Sequence, residues 1–232
     1  MSLVKQPPQL SIVMPVLNEA LTLAHHLTAL QLLREQGAEV IVVDGGSQDD
    51  SVSIAKPLAD LVLCSPAGRA LQMNLGAQQA HAPALLFLHA DTRLPRGVVE
   101  QITQALNTHT WGRFSIELKG HSRWLPVVSL MMNLRSRLTG IATGDQGMFV
   151  RASTFKEMGG FPEQPLMEDI ELSKRLKKIS SPARLKARVI SSGRRWDAFG
   201  AWNTICLMWR LRFRYWRGVS ATQLAKEYRD AR

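Results

Sequence analysis

Three groups of side chains in this sequence have types and spacing suited to chemistry on a phosphorylated substrate. His89-Ala-Asp91 follows the apolar run Leu85-Leu-Phe-Leu88. A carboxylate just past a buried strand can hold a divalent cation that a diphosphate also chelates, since magnesium and manganese favour oxygen and are often held by one or two carboxylates plus substrate phosphates. Read alone, Asp91 is better explained as the cap of a turn that Thr92 and Pro95 complete. Glu168-Asp169 opens a helical pattern. Paired acids there complement the helix dipole; alternatively one carboxylate points into a cleft, with Asp169 taking a proton from an attacking hydroxyl. Asp44 closes an apolar run and is followed by Gly45 and Gly46. It could accept a hydrogen bond from a ribose hydroxyl or a base, or simply shape the turn, and the two readings weigh equally. Arg69 and Ser192-Gly-Arg-Arg-Trp196 supply guanidinium groups, whose rigid fork suits phosphate oxygens, although solubility explains most of the basic residues here.

These groups need a scaffold, and the first half of the chain reads as one. Apolar runs at Leu10–Val16, Glu39–Asp44, Leu61–Cys64 and 84–88 read as buried strands. They alternate with helical patterns over 20–33, from the turn at 45–51 through Ala55, and over 69–80, with Ser47 or Asp49 as the cap of the second. Repeated strand–helix units predict an α/β fold with a mostly parallel central sheet and helices on both faces. Ligands of such sheets bind beyond the carboxyl ends of the strands, where Asn18-Glu19, Asp44 and His89-Ala-Asp91 all fall. Beyond Pro95 the spacing predicts helices over 98–106, 124–138, 153–158, 168–179 and 198–217, and strands over 111–118 and 147–151. The polar turn Gly144-Asp-Gln-Gly147 lines a pocket or merely connects two elements.

The chain has 232 residues, enough to bury a real core, and its 45% hydrophobic and 21% charged content excludes wholesale disorder. Its net charge of +10 is uneven: residues 1–110 hold 6 Lys/Arg and 9 Asp/Glu, whereas 111–232 hold 23 and 10. A basic second half faces phosphate, nucleic acid or an anionic surface. Two cysteines cannot make a disulfide framework or a cysteine zinc site, and Cys64 reads as a small buried apolar residue. No apolar run long enough to span a bilayer occurs, and MSLVKQPPQL has no secretory character, so the expected location is cytoplasmic. His25, His26, His81, His109 and His121 lie at no metal-ligand spacing beyond the adjacent His25-His26 pair, and Trp124, Met131 and Met132 read as core or groove.

In combination and in order, the segments resemble family 2 glycosyltransferases with the GT-A fold. The residues that carry the likeness are Ile12-Val-Met-Pro-Val-Leu-Asn-Glu19, Val40-Ile-Val-Val-Asp-Gly-Gly-Ser-Gln-Asp49, Leu86-Phe-Leu-His-Ala-Asp91, Gly144-Asp-Gln-Gly147, Gly159-Gly-Phe161 with Met167-Glu-Asp-Ile-Glu-Leu172, and Arg195-Trp196. Within the family, Val43-Asp-Gly-Gly-Ser47 and Gly68-Arg-Ala-Leu-Gln-Met-Asn74 look most like the short arsenosugar-biosynthesis-type group. The resemblance implies a nucleotide-sugar site at Pro15, Asn18, Glu19, Asp44, Ser47, Arg69, Asp91, Asp145, Gln146, Arg195 and Trp196, with Asp169 as base beside Glu168. Asp91 would be the last acid of the family's D-x-D metal element, with His89 standing where the first aspartate belongs. Imidazole suits manganese better than magnesium. Ser192 replaces the glutamine of the Q-x-x-R-W element, which argues against a processive synthase.

The implied function is single, inverting, metal-assisted transfer from a UDP- or GDP-sugar to an acceptor hydroxyl, within one GT-A domain over 1–232. Residues 1–110 would bind the donor, 111–197 would carry acceptor and base, and 198–232 would form a basic amphipathic segment. Two alternatives stand beside it. One is a nucleotidyltransferase acting on a sugar phosphate, although Leu17-Asn-Glu-Ala20 lacks the Gly-rich basic character of such a loop. The other is a binding module for a membrane surface or nucleic acid. Trp202, Ile205, Trp209, Phe213 and Trp216 form one helical stripe and Arg210, Arg214 and Arg217 another, which suits peripheral contact with the inner membrane face. Nucleic acid is disfavoured, since no binding motif is present and the acidic first half would repel it.

Overall fold

A computed structural model describes residues 7–230. The first six residues, which belong to the stretch expected to lack secretory character, lie outside them, as do 231–232. Four runs of apolar residues form parallel strands: β1 (Leu10–Val16), β2 (Glu39–Asp44), β3 (Leu61–Cys64) and β4 (Ala84–Phe87). The first two and β4 are buried almost throughout because helices cover both faces. Alternate residues of β1 divide the core, as the period of two requires. Ile12 and Met14 pack with Leu23 and Leu27 of α1 (Ala20–Ala29) and with Val98 and Ile102 of α5 (Val98–Thr108). Val13 faces the opposite layer, with Ala70 and Met73 of α4 (Arg69–Gln78). There α4 lies so close to the sheet that a Cβ at Gly76 would sit 2.4 Å from Val13 Cγ1.

The sheet has eight strands in the order β3-β2-β1-β4-β7-β6-β8-β5. Beyond β4 it turns mixed: β7 (Met148–Arg151) runs antiparallel to β4 and to β6 (Trp111–Lys119), β8 (Ala183–Ser192) is parallel to β6, and the two-residue β5 (Thr92–Arg93) pairs antiparallel with β8. The remaining helices are α2 (Gln31–Glu35), α3 (Ser51–Ala55), α6 (Leu125–Thr139), α7 (Ala152–Glu157), α8 (Glu168–Lys177), α9 (Arg194–Phe199), α10 (Ala201–Trp216) and α11 (Ala221–Asp230).

Several expectations change. The helix expected over 20–33 breaks at Leu30, where the Gln31 side chain donates to the carbonyls of Leu27 and Leu58 and stops the first segment. The helix expected over 198–217 is two, split at Gly200, whose φ of 77° is left-handed. Cys64 is exposed, not buried, because β3 is the edge strand of the sheet. Finally, Arg214 is not a free surface cation, since it pairs with Glu227 of α11.

Candidate active site

The strand order reverses direction between β1 and β4, so the chain leaves these neighbours in opposite senses and a crevice opens beyond their carboxyl ends. On its β1 side, Asn18 holds a left-handed backbone (φ 54°), one of two non-glycine residues to do so among those described. Asn18 Oδ1 accepts from the Gln48 amide at 2.8 Å, and the Asn18 amide donates to Ser47 Oγ at 2.8 Å. Ser47 therefore braces the loops after β1 and β2, and neither it nor Asp49 is the cap of α3: Asp50 holds that position without a side-chain cap bond, while Asp49 accepts from the Ser51 amide at 3.0 Å just before the helix. Pro15 is buried within β1, opposite Val43. Asp44 shapes its turn, with Oδ2 accepting from the Gly46 and Ser47 amides at 2.9 Å each. Its Oδ1 is buried without a partner among the described residues. The turn-shaping reading of Asp44 is thus the one its hydrogen bonds display.

On the β4 side, Asp91 Oδ2 lies 3.5 Å from Arg194 Nη2, and the same guanidinium nitrogen reaches Glu19 Oε2 at 3.2 Å. One cation from the start of α9 thus bridges acids from the two strand ends that flank the crevice. His89 is engaged at one ring nitrogen: its Nδ1 pairs with Asp145 Oδ1 at 3.1 Å, and the ring lies close enough to Gly144 that a Cβ there would stand 2.5 Å from Nε2. Enclosure disfavours charge on both partners, yet their hydrogen bond prevails, raising the imidazole above its usual 6.5 and holding the Asp145 carboxyl at about 2. Among the described residues no three His, Cys, Asp or Glu side chains cluster tightly enough to hold an ion by themselves. The donor set fits magnesium or manganese as Asp91 completed by phosphate oxygens.

The opposite wall comes from the second half. Met167, the other left-handed non-glycine residue (φ 65°), turns the chain into α8, and backbone strain of this kind persists only where the surroundings fix it. Asp169 is held firmly: Oδ2 accepts from the Gly144 amide at 2.9 Å and Oδ1 from the Ile170 amide at 2.7 Å. Glu168 is buried and pairs with Arg69 Nε at 3.0 Å; burial pushes its carboxyl up, and Arg69 opposes that. Gln146 is fully buried and closes a capping box with Thr143, so it supports the turn from behind. Arg195 lies over the Tyr228 ring at 3.9 Å and donates to its hydroxyl.

These elements enclose a cavity of about 1000 Å³. Arg69, Asp91, Asp145, Asp169, Arg195 and Trp196 all line it, so six of the expected site residues share one space. Pro15, Asn18, Asp44 and Ser47 sit at the ends of β1 and β2 and do not line the cavity. Glu19, His89, Gln146 and Glu168 stand behind it, joined through the pairs above. Trp124 and Met131 line the groove rather than the core. Two residues were not singled out from the sequence, Arg135 of α6 and Arg212 of α10, both on the cavity wall. Arg194 was legible only as part of the basic run Ser192-Gly-Arg-Arg-Trp196, without a role of its own.

A family model described as Glycosyl transferase family 2 matches residues 11–146. The undecaprenyl-phosphate 4-deoxy-4-formamido-L-arabinose transferase of Pseudomonas syringae pv. syringae (strain B728a) is 28% identical over 158 residues, 61% of this chain and 46% of that protein. The crystal structure of S. aureus TarS 1-349 in complex with UDP-GlcNAc is similar with a TM-score of 0.62 at 19% identity, over 79% of this chain and 58% of that one. The mannosyltransferase PcManGT from Pyrobaculum calidifontis, in complex with GDP-Man and Mn2+, gives 0.62 at 20% identity, over 80% and 57%. The chain therefore spans about half the length of the relatives it matches. The two structural likenesses show that the mixed sheet is the GT-A fold.

Proposed function

The chain belongs to glycosyl transferase family 2 and is a glycosyltransferase, and from that premise we propose that it moves one sugar, non-processively and with inversion, from a UDP- or GDP-sugar to an acceptor hydroxyl. The observation that carries this reading is the pair Asp91 and Asp169 on the wall of one cavity, with Arg194 bridging to Asp91. Residues 1–110 bind the donor, with Asp44 Oδ1 as an acceptor for base or ribose. Residues 111–197 hold the acceptor and the base. The family match sets the nucleotidyltransferase alternative aside. The motifs around Asp44 and Arg69 support the arsenosugar-biosynthesis-type subgroup.

Asp169 removes the hydroxyl proton as the acceptor oxygen forms its bond to the anomeric carbon; the bond from that carbon to the diphosphate breaks and its electron pair leaves on the diphosphate. Two backbone amides fix the Asp169 carboxylate, so it needs no reorganisation to accept that proton. Arg194 and Arg69 meet the charge that develops on the leaving group. A divalent manganese or magnesium ion bound at Asp91 would supply further neutralisation of the diphosphate.

No helix among the described residues is long and apolar enough to cross a membrane. Peripheral contact with the cytoplasmic membrane face is supported by α10, whose Trp202, Trp209, Phe213 and Trp216 are 74%, 68%, 59% and 74% exposed. Diphosphate release from a panel of UDP- and GDP-sugars tests the reaction. Asp169→Asn should lower turnover roughly 10²- to 10⁴-fold while nucleotide affinity stays within about threefold. Transfer at the wild-type rate in that variant removes Asp169 from the role of base.

A further inference from the structure

The cavity has an apolar wall that the transfer of a sugar to a hydroxyl does not by itself require. Trp124, Met131, Leu134 and Leu138 lie along one face of α6, and Trp202 and Trp209 along the facing stripe of α10. All six are exposed large hydrophobics, from 44% at Leu134 to 76% at Leu138. Each stripe is interrupted once, by Arg135 on α6 and by Arg212 on α10. Neither guanidinium forms an ion pair within 4.0 Å among the described residues, and Arg135 Nε and Nη2 are buried with no hydrogen-bond partner at all. The charges facing them are each other, Asp145, Asp169 and Arg113. Burial and the Arg212 charge push Arg135 down to about 10 against the opposing pull of Asp169 and Asp145, so an anion in hydrogen-bond contact with the partnerless Nε and Nη2 relieves a remaining cost.

We propose that the acceptor is an amphiphile: its alkyl or isoprenoid chain lies in the groove between α6 and α10, and a phosphate-bearing head sits between Arg135 and Arg212. The reacting hydroxyl of that head is then beside Asp169, on the same cavity wall. This rests on the sugar-transfer reading and names its acceptor class. Charge complementarity selects this occupant over an uncharged lipid or a second copy of the chain. An uncharged tail leaves Arg135 unpaired, and a second copy would have to bring an anion into the deep end of the groove. In the transfer step the acceptor O–H proton passes to Asp169, the oxygen bonds to the anomeric carbon, and the nucleoside diphosphate departs with the electron pair, as above. The phosphate of the head binds and orients and does not react.

Binding can be measured without turnover, using the full chain and the fluorescence of the groove tryptophans. The probes are dodecyl phosphate and dodecyl maltoside below their micellar concentrations, hexyl phosphate, and inorganic phosphate. Each methylene buried strengthens binding about fourfold, so dodecyl phosphate should bind at least about tenfold more tightly than hexyl phosphate or inorganic phosphate. It should also bind at least about tenfold more tightly than dodecyl maltoside. Arg135→Gln and Arg212→Gln should each weaken dodecyl phosphate about tenfold or more and leave dodecyl maltoside unchanged, whereas Leu134→Glu should weaken both. Equal affinity for the charged and uncharged probes, or dodecyl phosphate binding that survives both arginine variants, overturns the proposal. So does light scattering that shows a dimer from which dodecyl phosphate displaces nothing. Thermal shift with UDP and GDP on the same samples verifies folding and separates the two readings. Nucleotide binding without alkyl phosphate binding ends this inference alone, and alkyl phosphate binding without nucleotide binding ends the sugar-transfer reading on which it rests.

Discussion

Arg194 distinguishes a structural contact from a binding one, and the two roles carry different magnitudes. Its guanidinium bridges Glu19 and Asp91 at 3.2 and 3.5 Å, but the side chain is 55% exposed. Exposed pairs are worth about 0.2–1 kcal/mol each, and here two pairs share one cation, so removing it costs the fold about 1 kcal/mol. For a chain of 232 residues that is a fall of about 2–4 °C in Tm. A guanidinium that swings from these acids onto a diphosphate makes charge-assisted hydrogen bonds worth about 1.5–3 kcal/mol. Losing them weakens nucleotide binding roughly 10- to 150-fold. Arg194→Ala should therefore be folded and nearly as stable as the parent, yet a poor binder of UDP or GDP by calorimetry. Arg194→Lys, which keeps the charge without the fork, should fall between. Nucleotide affinity within threefold of wild type in Arg194→Ala refutes the reasoning. A loss in Tm well beyond 8 °C does so too, since it makes the bridge a structural one.

Two further outcomes follow from other parts of the molecule. Asp197 of α9 accepts from the amides of His121 and Ser122 at 2.9 and 2.8 Å, tying the helix that carries Arg194 to the turn before α6. Those bonds hold its carboxyl below the usual 3.8, so its contribution is present above that value and is lost as pH falls through the lowered one. Asp197→Ala should melt below wild type at pH 7, with the gap closing in acid as the lowered carboxyl protonates; a gap that widens in acid contradicts this. For the membrane face, the full chain should float with anionic liposomes, and the Trp209→Ser and Trp216→Ser double variant should float less while still binding nucleotide. Equal flotation of the two proteins retires the contact.

The parallel half of the fold was legible because β1, β2 and β4 are buried on both faces and read as uninterrupted apolar runs, and the half-buried edge strand β3 keeps the same apolar character; β1, β2 and β3 have the bounds their sequences predict. The strand β8 was passed over because Arg184, Lys186 and Arg188 obscure the alternation that Leu185, Ala187 and Val189 carry. At the site, acids at strand ends were visible because the parallel topology alone sends them to the crevice. The arginines of the groove were not, because Arg135 and Arg212 belong to no local motif and reach one cavity wall only through the fold. The partner of His89 was hidden for a related reason. Its position beside Asp91 suggests a shared ion, while its Nδ1 meets Asp145, 56 residues along the chain.

Sugar transfer at this site requires a diphosphate held at Asp91, across one cavity from Asp169. Thermal shift of wild type and Asp91→Asn with UDP and GDP, each with and without manganese, reads that binding. Saturation near 100 times Kd stabilises the native state by about 2.7 kcal/mol, so one of the two nucleotides should raise the wild-type Tm by about 5–11 °C. Manganese should enlarge that shift in wild type and add nothing in Asp91→Asn. No shift with either nucleotide, or a manganese increment that survives the loss of the Asp91 carboxylate, contradicts the account.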